Sequence, residues 1–342
     1  MAKSLNILLT SVGRRVSLLE AFRKALADLK IEGRVLAADR SPLAPAFHAA
    51  DEGCLVPPVG GPEYVDALLT ICRTHDVGLV FPLIDWELAV IAEAHERFAA
   101  VGARAVISDK AVIDICRDKQ RTCEFLKRHR LGTPEIFTYE EALRRPFPLF
   151  VKPRYGSSAK DVHCLPDEEA LRFHYGRNVE SVIQEYVRGT EFTVDVYAGF
   201  DGVPRVAVPR QRIEVRAGEV AKARTVRHPA IIRQSLRLVR ALGACVGVVT
   251  LQCFLTREDQ IKFIEVNPRF GGGVPLSIYA GADFPRWIIE EHLGRKPRID
   301  PDAWKADLVM LRYDAAVFRR WNDVAADEGA GAGARPGAKS GG

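Results

Sequence analysis

The sequence predicts a mixed α/β and α+β chain in three parts: an N-terminal parallel α/β domain, a small flap-like unit and a C-terminal antiparallel domain. Three observations predict it. Over the first 110 residues, short continuous apolar runs alternate with segments of helical periodicity, the pattern of a parallel sheet covered on both faces. From about residue 134 to 190 the pattern shrinks to short strands around one helix and a Gly/Ser loop. From Glu191 to Val226 polar and apolar residues alternate, with turns at Asp201-Gly202 and Ala217-Gly218, which reads as a β-meander.

Residues 5–10 form a continuous apolar strand, the turn Ser11-Val12-Gly13-Arg14-Arg15 follows, and residues 16–29 carry apolar positions at helical spacing. Residues 34–38 read as a second strand closing on Asp39, 64–75 as a helix, 78–82 as a strand, 86–100 as a helix and 104–107 as a short strand. Ligands of open parallel sheets sit beyond the carboxyl ends of the strands. Ser11 to Arg15, Asp39-Arg40 and Asp85 are therefore substrate-facing candidates, with helix caps and loop residues as the alternative. Ser11-Val12-Gly13 is not G-x-G-x-x-G, so a dinucleotide site has little support. Residues 111–130 read as helical and end near Leu131-Gly132-Thr133-Pro134. Strands follow at 147–152, 161–165 and 182–187, with a helix at 167–175. Beyond the meander come a helix at 231–242, strands at 246–255 and 260–266, and a helix at 285–293. The expected domains are 1–115, 116–188 and 189–322, and the Gly/Ala-rich tail 323–342 is expected to be disordered.

The chain has 342 residues and 47% hydrophobic content, too long for one compact domain and ample for a buried core. The apolar run at 5–9 is too short for a signal-peptide core, and no later run reaches the roughly 18 apolar residues of a membrane span, so a cytoplasmic protein is expected. The seven cysteines form no C-x-x-C pair, which favours free, mostly buried thiols. The net charge of +5 is mild and draws on seven basic residues between Arg205 and Arg227. That stripe lacks interleaved aromatics and any nucleic-acid motif, so a site for small anions is the better reading than nucleic acid. The eight histidines show no metal spacing.

Three segments carry the chemistry. In Ile264-Glu265-Val266-Asn267-Pro268-Arg269, Glu265 and Asn267 lie two apart on a strand and so share a face. Gln252 sits on the preceding strand, and three oxygen donors converging on one point suit a hard cation such as Mg²⁺. Arg269 is then placed to reach a phosphoryl oxygen; a strand ending in polar loop residues is the plain alternative. Phe150-Val151-Lys152-Pro153 followed by Gly156-Ser157-Ser158 sets a lysine at a strand end beside small residues, whose backbone N–H groups can approach phosphate oxygens. No Walker A spacing is present, and a surface hairpin is the alternative. In the third segment, from Gln184 to Glu191, a strand runs into a crossing stretch and then an acid, where Glu185, Tyr186 and Val187 could read an adenine and Glu191 a ribose; a structural hinge is the commoner meaning.

In this order the three segments resemble the ATP-grasp superfamily, and within it proteins similar to the carbamoyl-phosphate synthase large subunit and the ligase of pyrrolysine biosynthesis. The resemblance covers roughly residues 5–315 and is most specific at Glu265-x-Asn267-Pro268-Arg269 with Gln252 and at Val151-Lys152-Pro153. It implies the three-part ATP-grasp architecture, with a pre-ATP-grasp α/β domain, a flap and a C-terminal antiparallel domain. It also implies ATP and two Mg²⁺ ions, with Mn²⁺ as a substitute. Lys119 and Lys152 would be the two nucleotide lysines, Gln184 would face the adenine amino group, and Glu185, Tyr186 and Val187 would give backbone contacts. Glu191 would hold the ribose, and Gly156, Ser157 and Ser158 would close over the phosphates. Glu265 would bridge the metals with Gln252 and Asn267, and Arg269 would steady the transferring phosphoryl group. Gly13-Arg14-Arg15 looks like the entry loop of the carbamoyl-phosphate-synthase-like subgroup, whose substrates vary.

The expected reaction is ATP-dependent ligation of a carboxylate to an amine, or to a thiol, through an acyl phosphate. The alternatives are a carboxylate- or carbamate-phosphorylating subunit and a non-catalytic ATP-binding module. A carboxylate and a phosphate repel one another, so cationic side chains near the γ-phosphate are expected. Arg210, Arg212, Lys222 and Arg224 are taken as same-face pairs on the meander, turned toward the site, with Arg210, Lys222 and Arg224 counted as catalytic; the alternative is that one pair simply faces solvent. The expected partners are small-molecule substrates, with no nucleic acid and no membrane; a homodimer is compatible.

Overall fold

The computed structural model describes residues 4–156, 161–216 and 218–325. The chain divides into two compact units, residues 1–106 with 314–342, and residues 107–313. No helix among the described residues is long and apolar enough to cross a membrane.

The first unit is a five-stranded sheet of order β3-β2-β1-β4-β5 whose pairings are all parallel. Its elements are β1 (Asn6–Thr10), α1 (Val16–Asp28), β2 (Val35–Asp39), α2 (Pro45–Ala49), β3 (Glu52–Leu55), α3 (Tyr64–Thr74), β4 (Val77–Pro82), α4 (Asp85–Glu93), α5 (His95–Ala100) and β5 (Arg104–Ala105). The expected strands and helices are present, and two elements were not expected. α2 and β3 lie in a stretch with no clear apolar period. The helix expected at 86–100 is two helices broken at Ala94.

The second unit holds two antiparallel sheets. A four-stranded sheet of order β6-β9-β7-β8 is built from β6 (Ile136–Phe137), β7 (Leu149–Pro153), β8 (His163–Leu165) and β9 (Ser181–Glu185). One of its faces packs on α8 (Tyr139–Ala142) and α9 (Glu168–Arg177) through Phe137, Leu149, Val151, Leu165 and Ile183. A six-stranded sheet of order β14-β13-β10-β11-β12-β15 is built from β10 (Thr190–Ala198), β11 (Pro204–Arg216), β12 (Glu219–Thr225), β13 (Gly247–Leu255), β14 (Ile261–Asn267) and β15 (Val309–Leu311). Helices α6 (Lys110–Arg117), α7 (Lys119–Arg128) and α10 (Pro229–Leu242) supply the residues that bury its apolar face, with Phe192, Val194, Leu251, Cys253 and Phe263 at the centre. Helices α11 (Val274–Tyr279) and α12 (Phe284–His292) complete the unit.

The helix expected over 111–130 is likewise two helices. Asp118 ends α6 and caps α7 by accepting from the N–H groups of Gln120 at 3.0 Å and Arg121 at 3.2 Å. An aspartate that satisfies orphan N–H donors starts a helix more readily than it continues one.

Candidate functional site

Strand register decides which side chains of the six-stranded sheet can meet. Glu265 pairs with Gln252, Gln252 with Thr193, and Thr193 with Arg210, so these four form one row on one face. The next row is Asn267, Thr250, Asp195 and Val208. The opposite face carries Phe192 and Cys253 into the helix-covered core. The sheet is thus apolar toward its helices and polar on its other side, and the expected metal-ligand set lies on the polar side.

The same register corrects one expectation. Arg224 pairs with Gln211 and Lys222 with Glu214, whereas Arg210 pairs with Thr225 and Arg212 with Ala223. Neighbours along a strand point to opposite faces, so Lys222 and Arg224 face away from the row of Gln252 and Glu265. Spacing by two was read correctly within each strand, but the hairpin sets the two strands one step out of phase. Lys222 pairs with Glu214, and Arg224 donates to Gln211 at 2.7 Å. Arg210 is not a surface arginine either. It is 1% exposed and forks onto Asp195, Nε to Oδ2 at 2.8 Å and Nη2 to Oδ1 at 3.0 Å. Arg212 forms an ion pair with Glu191 at 3.0 Å. Burial raises the Glu191 carboxyl, and Glu265 adds to the rise against the pull of Arg212.

A bulge joins the two sheets. On β14, Glu265 pairs with Gln252 and Phe263 with Cys253, so the register skips Ile264. The skipped residue leaves the ladder, and the Lys152 ammonium donates to its carbonyl at 3.2 Å. The skip also lets Phe263 enter the core while Glu265, two residues on, stands on the polar face. Lys152 is 6% exposed, and burial lowers it to about 8 while Glu265 pulls it back up.

Lys152 and Gln184 share the face of the four-stranded sheet turned away from α8 and α9, since Lys152 pairs with Val182 and Phe150 with Gln184. Gln184 is buried, and its Oε1 has no hydrogen-bond donor among the described residues. An orphaned buried acceptor is costly, and a ligand amino group would satisfy it. The loop after β7 is tied to the start of α7: Arg154 and Tyr155 donate to Asp118, and Lys119 donates to the Gly156 carbonyl at 2.7 Å. Gly156 adopts φ +116 with open space on its Cβ side, a conformation only glycine takes without strain. Ser157 and Ser158 lie outside the described residues. The Glu185 N–H donates to the Glu135 carbonyl at 2.9 Å, and its carboxylate pairs with Lys262. Tyr186 is exposed and Val187 half-buried on the connection to β10. Beyond β14, the Arg269 N–H donates to the Asn267 carbonyl at 2.8 Å, folding the chain tightly after the ligand strand.

In the first unit Asp39 accepts from the N–H groups of Gly13 at 2.9 Å and Ser41 at 3.1 Å, which is loop-building work. Sequence reasoning passed over Glu87. It is fully buried at the ends of β1 and β4 and accepts from Thr10, Ser11, Tyr64 and the N–H groups of Leu83 and Ile84. Burial raises its carboxyl against those donors. Its signal was an acid at the third position of a helix, where such side chains reach back to free N–H groups. Glu52 and Cys54 of the edge strand β3 and His75, just after α3, bring potential metal-ligand atoms within 4.8 Å of one another. A cation already stands there: Arg34 pairs with Glu52 at 2.9 Å, and its Nη2 lies 3.4 Å from His75 Nδ1.

Residues 116–273 match the family model described as ATP-grasp domain. This segment is an ATP-grasp domain. It is preceded by residues 7–107, which match a model described as PylC-like, N-terminal domain. The carbamoyl phosphate synthase large chain of Thermoanaerobacter sp. (strain X514) is 27% identical over 210 residues, covering 54% of this chain and 19% of the relative. The chain therefore spans about a fifth of the length of the curated relatives it matches. Among solved structures, the biotin carboxylase domain dimer of Hydrogenobacter thermophilus 2-oxoglutarate carboxylase, in complex with MgADP, ADP and bicarbonate, aligns with TM-score 0.69 and 17% identity over 90% of this chain and 74% of that one. The L-amino acid ligase of Bacillus licheniformis aligns with TM-score 0.65 and 18% identity over 86% of this chain and 75% of that one. The ATP-grasp fold expected from the sequence is thus the fold found.

Proposed function

We propose that the ATP-grasp domain spends ATP to activate a carboxylate as an acyl phosphate, which an amine or a thiol then takes, releasing ADP and phosphate. The observation that carries this reading is the bulge at Ile264. It brings a buried, cationic Lys152 to the residue beside Glu265, on the sheet face that also bears Gln252 and Asn267. Oxygen donors next to buried cations make a place for a metal–phosphate group rather than for an apolar ligand. The carbamoyl phosphate synthase and ligase relatives support the activation chemistry.

In this reading Lys119 and Lys152 neutralise phosphate oxygens, Gln184 accepts from the adenine amino group through its orphaned Oε1, and the chain at 185–187 lies along the base. Glu191, Gly156, Ser157 and Ser158 complete the nucleotide contacts. Gln252, Glu265 and Asn267 would hold Mg²⁺, two ions or Mn²⁺ in their place, which screens charge between phosphate and carboxylate when bound. Arg269 steadies the transferring phosphoryl group. A carbamoyl-phosphate-synthase-like phosphorylating subunit is the second reading, favoured by the relatives' names. We further read the protein as a cytoplasmic homodimer: seven free thiols suit a reducing compartment, and the matching carboxylase domain is described as a dimer.

The test is phosphate release from ATP and Mg²⁺ with panels of carboxylates and amines. Release that needs both partners is expected; release with a carboxylate alone moves the assignment to the phosphorylating subunit. A pH prediction accompanies it. Lys152 is charged below about 8 and loses its proton above it. A bound phosphate favours the charged form, so nucleotide binding takes up a proton near pH 8. ATP affinity is expected to fall on the order of tenfold as pH rises well above 8. Lys152→Met should bind more weakly and lose that pH dependence, both read by titration calorimetry.

A further inference from the structure

On the same sheet face as the candidate ligands lies a buried polar cluster that the reaction chemistry leaves unused. Asp195 is fully buried and accepts from Arg210 through two bonds, from Ser277 Oγ at 2.6 Å and from Thr250 Oγ1 at 3.1 Å. Thr250 Oγ1 also lies 3.0 Å from the Arg269 carbonyl, and Thr250 is the cross-strand partner of Asn267. One hydroxyl thus connects a buried carboxylate to the turn between the last metal-ligand candidate and the phosphoryl-facing arginine. The glycines that follow make the fit close. A Cβ at Gly271 would stand 2.9 Å from Thr250 Oγ1, and one at Gly273 would stand 2.3 Å from Arg210 Nη1. The segment at 271–273 therefore lies directly on the cluster.

We propose that Thr250 is a positioning residue. Its single hydroxyl proton, shared between the Asp195 carboxylate and the Arg269 carbonyl, ties the two together and thereby fixes the orientation of Asn267 and Arg269 toward the metal and phosphates. Arg210 belongs to the same device. Two of its nitrogens are committed to Asp195, so it holds in place the carboxylate that Thr250 meets. This rests on the nucleotide reading above. Groups that orient metal ligands commonly change metal affinity by about 10- to 100-fold when removed.

The experiment measures the ATP dissociation constant of the full chain with Mg²⁺ and with EDTA for wild type, Thr250→Val and Thr250→Ser. Wild type should bind more tightly with Mg²⁺. Thr250→Val, which keeps shape and removes the hydroxyl, should lose about tenfold or more of that gain with its EDTA affinity unchanged. Thr250→Ser restores the hydroxyl and should keep the gain within about twofold of wild type. If Thr250→Val does not fold, Thr250→Ala gives the same reading. A Thr250→Val protein with the full Mg²⁺ gain, equal losses in the serine and valine variants, or equal weakening in Mg²⁺ and EDTA overturns the positioning role alone. A wild type with no Mg²⁺ gain overturns the nucleotide reading and this proposal with it.

Discussion

Glu265→Gln is expected to lower carboxylate-dependent phosphate release on the order of 10³-fold, with a melting temperature close to wild type. The substitution keeps size and shape and exchanges a charged oxygen for a neutral amide oxygen. A divalent cation bound with phosphates depends on one or two protein carboxylates, and Glu265 is the only carboxylate among the three candidate ligands. Little structural cost is expected because Glu265 stands on the polar face, outside the core formed by Phe263 and Val266. Steady-state phosphate release and a thermal melt of the same preparation check both halves. Near-normal turnover in a folded variant would remove Glu265 from the metal site.

The second large effect concerns stability. Asp195→Ala leaves the Arg210 guanidinium buried without its partner, and breaking such a pair costs about 3–5 kcal/mol. Replacing both, as Asp195→Ala with Arg210→Met, removes the stranded charge and should be less destabilising than the sum of the two single changes. Urea unfolding of the two single variants and the double variant measures the coupling. Strictly additive losses would mean that the bidentate contact contributes nothing beyond its separate groups.

Much of the fold was legible because its signals are local. The continuous strands at β1, β2 and β4 marked a parallel sheet, and the alternation from Glu191 onward marked the meander. The ligand strand was legible for the same reason, since Glu265 and Asn267 obey the two-residue period. What was not legible depends on register. Whether Lys222 and Arg224 share a face with Arg210 is set by how β11 and β12 pair, including an irregularity between Arg212 and Glu214 that no local pattern prints. The bulge at Ile264 did leave a trace: the buried apolar positions run Ile261, Phe263 and then Val266, a change from steps of two to a step of three. Asp195 gave no signal at all. An aspartate inside an apolar strand acquires its meaning only from Arg210, Thr250 and Ser277, which lie on three other elements.

Acyl-phosphate formation is the central claim, and oxygen transfer tests it most directly. A carboxylate that stimulates turnover is supplied with ¹⁸O in its carboxyl group, and the released phosphate is analysed by mass spectrometry. An oxygen that attacks the γ-phosphate leaves with it when the amine takes the acyl group, so one ¹⁸O per phosphate is predicted. Phosphate released without label, with ATP turnover unchanged, would contradict the account.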